Sequence, residues 1–204
     1  MIYSISGYQV RLSVLTILLL LISCGTSDTE RKADGKNVVA DTKVTFTSMS
    51  IHEASVNGLT GQVMSLLDSG IAVDTLDIEG RTPLMYASYN GYTDLIRKLL
   101  DRGANVNLQD NYGRTALMMA SSGPFGESVK LLLEKYADPN ITDDEEHFTA
   151  LMYAASEGQL EIVKLLLSNR ADPSLKDVDG DDALAFAKNN GHAEVALLLQ
   201  SLKK

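Results

Sequence analysis

A unit of 33 residues recurs along this chain, and that period narrows the possible folds more than any other feature. Residues 82–100 read TPLMYASYNGYTDLIRKLL, residues 115–133 read TALMMASSGPFGESVKLLL, and residues 149–167 read TALMYAASEGQLEIVKLLL. Gly70 and Gly103, Asp77 and Asp110, and Thr82 and Thr115 each lie 33 residues apart. Thr115 and Thr149 lie 34 apart, which puts one extra residue in the loop TDDEEHF, and Thr149 to Asp182 returns to 33. A unit this short cannot bury its own apolar face, so neighbours must stack and the product is an extended surface. Catalysis needs a few unlike residues converging once, so the repetition favours binding.

Local signals divide each unit into two helices. The hydroxyl of Thr82 suits an N-cap, and Pro83 suits the first helical position, where no amide donor is needed. The pattern predicts a first helix over Pro83 to about Tyr89, too short to persist alone in water. Gly91 then turns the chain. A second helix follows with Leu95, Ile96, Leu99 and Leu100 on one face. Ser128, Val129, Leu132 and Leu133 take those places in the next unit, then Ile162, Val163, Leu166 and Leu167. Gly103 suits a left-handed cap, and ANVNLQDNYG leads by a hairpin to the next unit. Tyr136 and Arg170 stand where Gly70 and Gly103 stand elsewhere, so both are expected in the left-handed region at a cost in strain.

Residues 77–107, DIEGRTPLMYASYNGYTDLIRKLLDRGANVN, resemble the ankyrin repeat, and the resemblance covers residues 48–202 as five units. The units run at about 48–76, 77–109, 110–142, 143–176 and 177–204. The resemblance implies an all-α solenoid of helix-turn-helix units joined by β-hairpin loops. The family's Thr-Pro-Leu-His motif keeps its histidine only at His52, with Met85, Met118, Met152 and Ala185 elsewhere, which implies a weaker hydrogen-bond network between units. The resemblance also implies a protein-binding role without enzymatic activity, through hairpin tips and the exposed side of the first helices on the concave face. Carried over, that surface comprises Ile78, Glu79, Arg81, Tyr89 and Asn90, then Asn111, Tyr112, Arg114 and Ser122. It continues through Glu145, Glu146, Phe148, Ser156 and Glu157 to Val178, Asp179, Asp181, Asn189 and Asn190. Tyr89, Tyr112 and Phe148 are expected to be exposed along one line, where aromatic side chains serve as interface anchors.

Charge points to the partner's chemistry. The net charge is −9, and residues 143–182 alone hold eleven acids against three bases. Phosphate recognition needs clustered Lys and Arg, so nucleic acid is excluded as the expected ligand and a protein with a basic surface is favoured. No cofactor or small-molecule substrate is implied. The lone Cys24 permits neither an internal disulfide nor a thiolate metal site.

That cysteine closes an apolar run. Arg11 precedes LSVLTILLLLI, residues 12–22, which is about half the roughly 20 residues a membrane-spanning helix needs. It reads as the apolar core of a signal peptide spanning residues 1–23. Leu21, Ile22, Ser23 and Cys24 resemble the lipobox of bacterial lipoproteins, which implies acylation of Cys24 and a membrane anchor. Gly25 after the cysteine is similar to sorting signals for the outer membrane, facing the periplasm; a cleaved signal and a soluble periplasmic or secreted protein is the alternative. Residues 24–47 are polar and aperiodic and read as a flexible tether. Two functions fit an anchored binding module: an immunity-like inhibitor of an envelope enzyme or toxin, or a scaffold for an envelope assembly.

Rival motifs are weaker. DVDGDD, residues 177–182, places acids at alternate positions, but its glycine falls at position 4 and Lys188 stands where an EF-hand requires Glu. Asp177 and Gly180 align with Asp77 and Gly80, which explains them without calcium. DDEEH, residues 143–147, reads as an acidic loop. His52, His147 and His192 fall in different units, and no nucleophile, metalloprotease or phosphate-loop motif occurs.

Overall fold

The computed structural model describes residues 49–202; the predicted signal peptide, Cys24 and the tether lie outside them. Among the described residues the order is α1 (Ile51–Val56), α2 (Thr60–Asp68), α3 (Pro83–Tyr89), α4 (Thr93–Asp101) and α5 (Ala116–Ser121). It continues with α6 (Gly126–Glu134), α7 (Ala150–Ser156), α8 (Leu160–Ser168), α9 (Ala183–Asn189) and α10 (Ala193–Ser201). Odd-numbered helices form one row, each packing on the next, and even-numbered helices form a second row behind them. None of these helices is long and apolar enough to cross a membrane.

Inner helices begin where the Thr signals place them. The hydroxyls of Thr82, Thr115 and Thr149 accept the amides of Met85, Met118 and Met152 at 3.2, 3.3 and 3.3 Å. In return, each Thr amide donates to the Sδ of that methionine at 3.4 to 3.5 Å. The methionines standing at the histidine position therefore close the cap locally, although sulfur is a weak acceptor. His52 does reach beyond its own helix, its Nε2 lying 2.8 Å from the Thr75 carbonyl. In the last unit a different histidine, His192, reaches the previous unit, its Nε2 lying 2.8 Å from the Ser156 carbonyl.

Burial follows the periodicity. Leu95, Ile96, Leu99 and Leu100 of α4 are buried, as are Ser128, Val129, Leu132 and Leu133 of α6 and Ile162, Val163 and Leu166 of α8. Leu167 stays partly exposed. Each buried leucine contributes about 1.5–3 kcal/mol relative to exposure, and no unit collects that alone because its partners lie in the adjoining units. Gly91 has φ 68°, and a Cβ there would collide with the Phe125 ring stacked on it from the next unit. Tyr136 and Arg170 adopt φ 67° and 69°, the left-handed cap conformation expected from their alignment with glycine.

The loops differ from the expectation of β-hairpins. Among the described residues there is no extended strand, only an isolated antiparallel bridge between Gln109 and Thr115. Each loop keeps a hairpin's closing bond: Asp77 N to Arg81 O at 3.1 Å, Asp110 N to Arg114 O at 3.0 Å, Asp143 N to Phe148 O at 3.0 Å, and Asp177 N to Asp181 O at 2.9 Å. Only a few residues separate these turns from the helical caps, which leaves no length for a ladder within one unit.

Candidate protein-interaction face

One aspartate organises each loop. The Oδ1 of Asp77 accepts the amides of Glu79 and Arg81, both at 2.9 Å, and its Oδ2 accepts the Tyr86 hydroxyl at 2.6 Å. Asp110 repeats this with the amides of Tyr112 and Arg114, and Arg114 Nη2 takes the place of the phenol at 2.7 Å. Asp143 holds the amides of Glu146 and Phe148 and the hydroxyl of Tyr153 at 3.1 Å. Asp177 holds the amides of Asp179 and Asp181, and the residue in the tyrosine's place is Phe186, which has no donor. Burial works against the charged form of Asp77, yet the bonds from Tyr86, Arg81 and Glu79 outweigh it and hold this carboxyl below the usual range. Burial, and then the neighbouring Asp143, push the Tyr153 phenol well above the usual tyrosine range. Burial and Asp77 do the same more mildly at Tyr86.

The loops are stitched tip to tip. Asn111 N donates to Glu79 O at 2.9 Å, Asp144 N to Tyr112 O at 2.9 Å, and Val178 N to Glu146 O at 3.1 Å. This register identifies the inserted residue as Glu145, between the equivalents of Asn111 and Tyr112. It also puts His147 at the place of Gly80, Gly113 and Gly180, and its φ of 59° shows the same left-handed turn without the glycine. Phe148 accordingly occupies the arginine position, where Arg81 lies 5.7 Å from the Tyr86 ring. A second ladder runs below the outer helices. Asn107 Nδ2 donates to Tyr136 O and its Oδ1 accepts Asp138 N, and Asn140 does the same with Arg170 O and Asp172 N. The sequence reading missed both ladders. The 33-residue recurrence of Asn107 at Asn140 was the signal for the second.

Of the residues assigned to the face from the sequence, Ile78, Tyr89, Asn111, Glu145, Glu146, Glu157, Val178, Asp179, Asn189 and Asn190 are exposed. Ile78 projects most, with 97% of its surface in solvent. Glu79, Arg81, Asn90, Tyr112, Arg114, Ser122, Phe148 and Asp181 are partly buried. Ser156 does not belong to an open surface: it is 5% exposed, because Asn190 Nδ2 covers it with bonds to its carbonyl and hydroxyl at 2.9 and 2.8 Å.

The expected line of three exposed aromatics also needs correction. Tyr89 is exposed, but Tyr112 lies under the Arg114 guanidinium at 4.7 Å. Phe148 packs edge-on between Tyr153 and Phe186, with ring centres 5.7 and 5.0 Å away. The ring is turned inward, where it serves the stack. Asp143 likewise leaves the acidic patch, being buried as a loop organiser.

Charge on the face is uneven. Arg81 pairs with Glu79 at 2.6 Å and Arg114 with Asp110 at 2.7 Å, so the bases of the first two loops are engaged internally. Asp144, Glu145, Glu146 and Asp179 in the last two loops, and Glu157 at the C-terminal end of α7, have no cationic partner among the described residues. Nor do three His, Cys, Asp or Glu side chains converge as metal ligands anywhere among the described residues.

Comparison with known proteins agrees with this architecture. No curated protein is similar enough to match the chain. The family described as ankyrin repeats (3 copies) matches residues 51–143 and again 127–204. Those matches span most of the chain and coincide with the stacked helix pairs and stitched loops, so this chain belongs to the ankyrin-repeat family, whose repeats serve as protein-binding modules.

Proposed function

We propose that this chain is an exported, lipid-anchored inhibitor that binds an envelope enzyme or toxin through its loop tips and inner helices, in an immunity-like role. The observation that supports the reading is the acidity of the last two loops, whose Asp144, Glu145, Glu146 and Asp179 have no cationic partner among the described residues, since an exposed row of carboxylates favours encounter with a basic protein surface. Ile78 and Tyr89, at the other end of the face, offer apolar area for the same partner. Anchoring rests on Leu21, Ile22, Ser23 and Cys24, and it would hold the module at the outer membrane, facing the periplasm.

The test is crosslinking in intact bacterial envelopes, followed by capture of this chain and identification and assay of what it carries. The inhibitor reading predicts an enzyme or toxin with a basic surface whose activity falls when the purified module is added. A captured enzyme whose activity is unchanged or raised contradicts inhibition and supports the scaffold role. Metabolic labelling with a palmitate analogue tests the anchor separately. The wild-type chain should carry label that Cys24→Ala loses, and an unlabelled wild-type chain refutes acylation.

A further inference from the structure

We infer that Asn57 is a site of spontaneous deamidation, set to react first by its place in the first of the described units. Asparagine precedes glycine at Asn57–Gly58, Asn90–Gly91 and Asn190–Gly191, in each case in the turn after an inner helix. The chemistry needs only water and a base to accept a proton. The glycine amide nitrogen gives up its proton and attacks the asparagine Cγ, the Cγ–Nδ2 bond breaks, and ammonia leaves. Water then opens the resulting succinimide at either of its two carbonyls, giving aspartate or isoaspartate.

Folding opposes this at all three turns, since each attacking nitrogen is tied up as a donor: Gly58 N to Ser55 O at 3.2 Å, Gly91 N to Ser88 O at 3.2 Å, and Gly191 N to Lys188 O at 3.1 Å. Reaction therefore requires the turn to open, and the cost of opening differs. Asn190 is tied across to the previous unit by its two bonds to Ser156. Asn90 caps α3, which packs between α1 and α5 and is backed by α4 with its four buried apolar residues. Asn57 is exposed, and among the described residues its Nδ2 donates to Glu53 O of its own helix, at 2.7 Å. Among the described helices α1 has one inner neighbour, α3, and the α2 behind it fully buries only Val63. Aspartate at this position loses the donor to Glu53 O and sets a negative charge at a helix C-terminus, so the product loosens the unit further.

The experiment incubates the purified folded chain at mildly alkaline pH and follows each Asn-Gly peptide by mass, where conversion adds about 1 Da. A parallel sample is kept unfolded in urea. In the folded chain, Asn57 should convert about tenfold faster than Asn90, with Asn190 slower than Asn57, and in urea the three rates should converge. Equal rates in the folded chain, a lead by Asn90 or Asn190, or no conversion at Asn57 while the unfolded sample reacts would each overturn the inference. Asn57→Asp should also speed hydrogen exchange of the α1 amides, and unchanged exchange contradicts the loosening.

Discussion

The first two loops, Asp77–Arg81 and Asp110–Arg114, and the last two, Asp143–Phe148 and Asp177–Asp181, are built on the same aspartate-centred turn and carry opposite surfaces. In the first pair an arginine follows the turn and is consumed by the loop's own acids. In the last pair that position holds Phe148, turned inward, or Asp181, and Asp144, Glu145, Glu146 and Asp179 at the tips have no cationic partner among the described residues. The backbone bonds fix the stack while the side chains at two or three tip positions set the charge. Structure and recognition are therefore separable within one loop, and each can be attacked alone.

The largest expected effect comes from removing an organiser. Asp143→Ala leaves two partly buried amides and the Tyr153 hydroxyl without their acceptor and should cost about 3 kcal/mol in a denaturant titration. Asp177→Ala, at a more open turn with no phenol to satisfy, should cost about 1 kcal/mol. Equal losses would break the view that burial and the third donor distinguish these loops. Next is Phe148→Ala, which removes a ring held between Tyr153 and Phe186 and should cost about 2 kcal/mol of stability. A loss of partner binding at full stability would return Phe148 to the role of exposed anchor.

These contrasts bear on what the sequence disclosed. The period, the two helices per unit, their buried faces and the left-handed Tyr136 and Arg170 were all legible, because propensity, capping and burial agree at those positions. The inward turn of Phe148 and the burial of Ser156 were not. Both depend on how one unit lies on the next: Phe186, one unit later, packs on the Phe148 ring, and Asn190 of the same later unit covers Ser156. Periodicity places a residue within its unit, and only stacking decides whether the neighbour covers it.

A pH effect sharpens the same comparison, because Tyr153 in the third loop is replaced by Phe186 in the fourth. Tyr153 is raised above the ordinary phenol value near 10, so its contribution is intact below about pH 10 and is lost as pH rises through its folded value. Asp77 is lowered, so its contribution is present above about pH 4 and is lost as pH falls through its folded value. Tyr153→Phe should flatten the alkaline decline in the urea midpoint and leave the acid decline unchanged; an unaltered alkaline limb removes Tyr153 from the account. The smallest effect is expected at Tyr136, which is 88% exposed and strained. Tyr136→Gly should raise stability by up to about 1 kcal/mol, and a clear loss would show that its side chain matters more than its backbone.

On the proposed reading the partner approaches the acidic loop tips rather than the outer helices. The measurement is the association rate constant of the captured partner at two salt concentrations, for the wild-type chain, Glu145→Lys with Glu146→Lys, and Lys130→Ala with Glu161→Ala. The loop pair should slow association markedly and flatten its salt dependence, while the outer-helix pair leaves both as in wild type. Slowed association by the outer-helix pair, with the loop pair behaving as wild type, would place the partner on the opposite face.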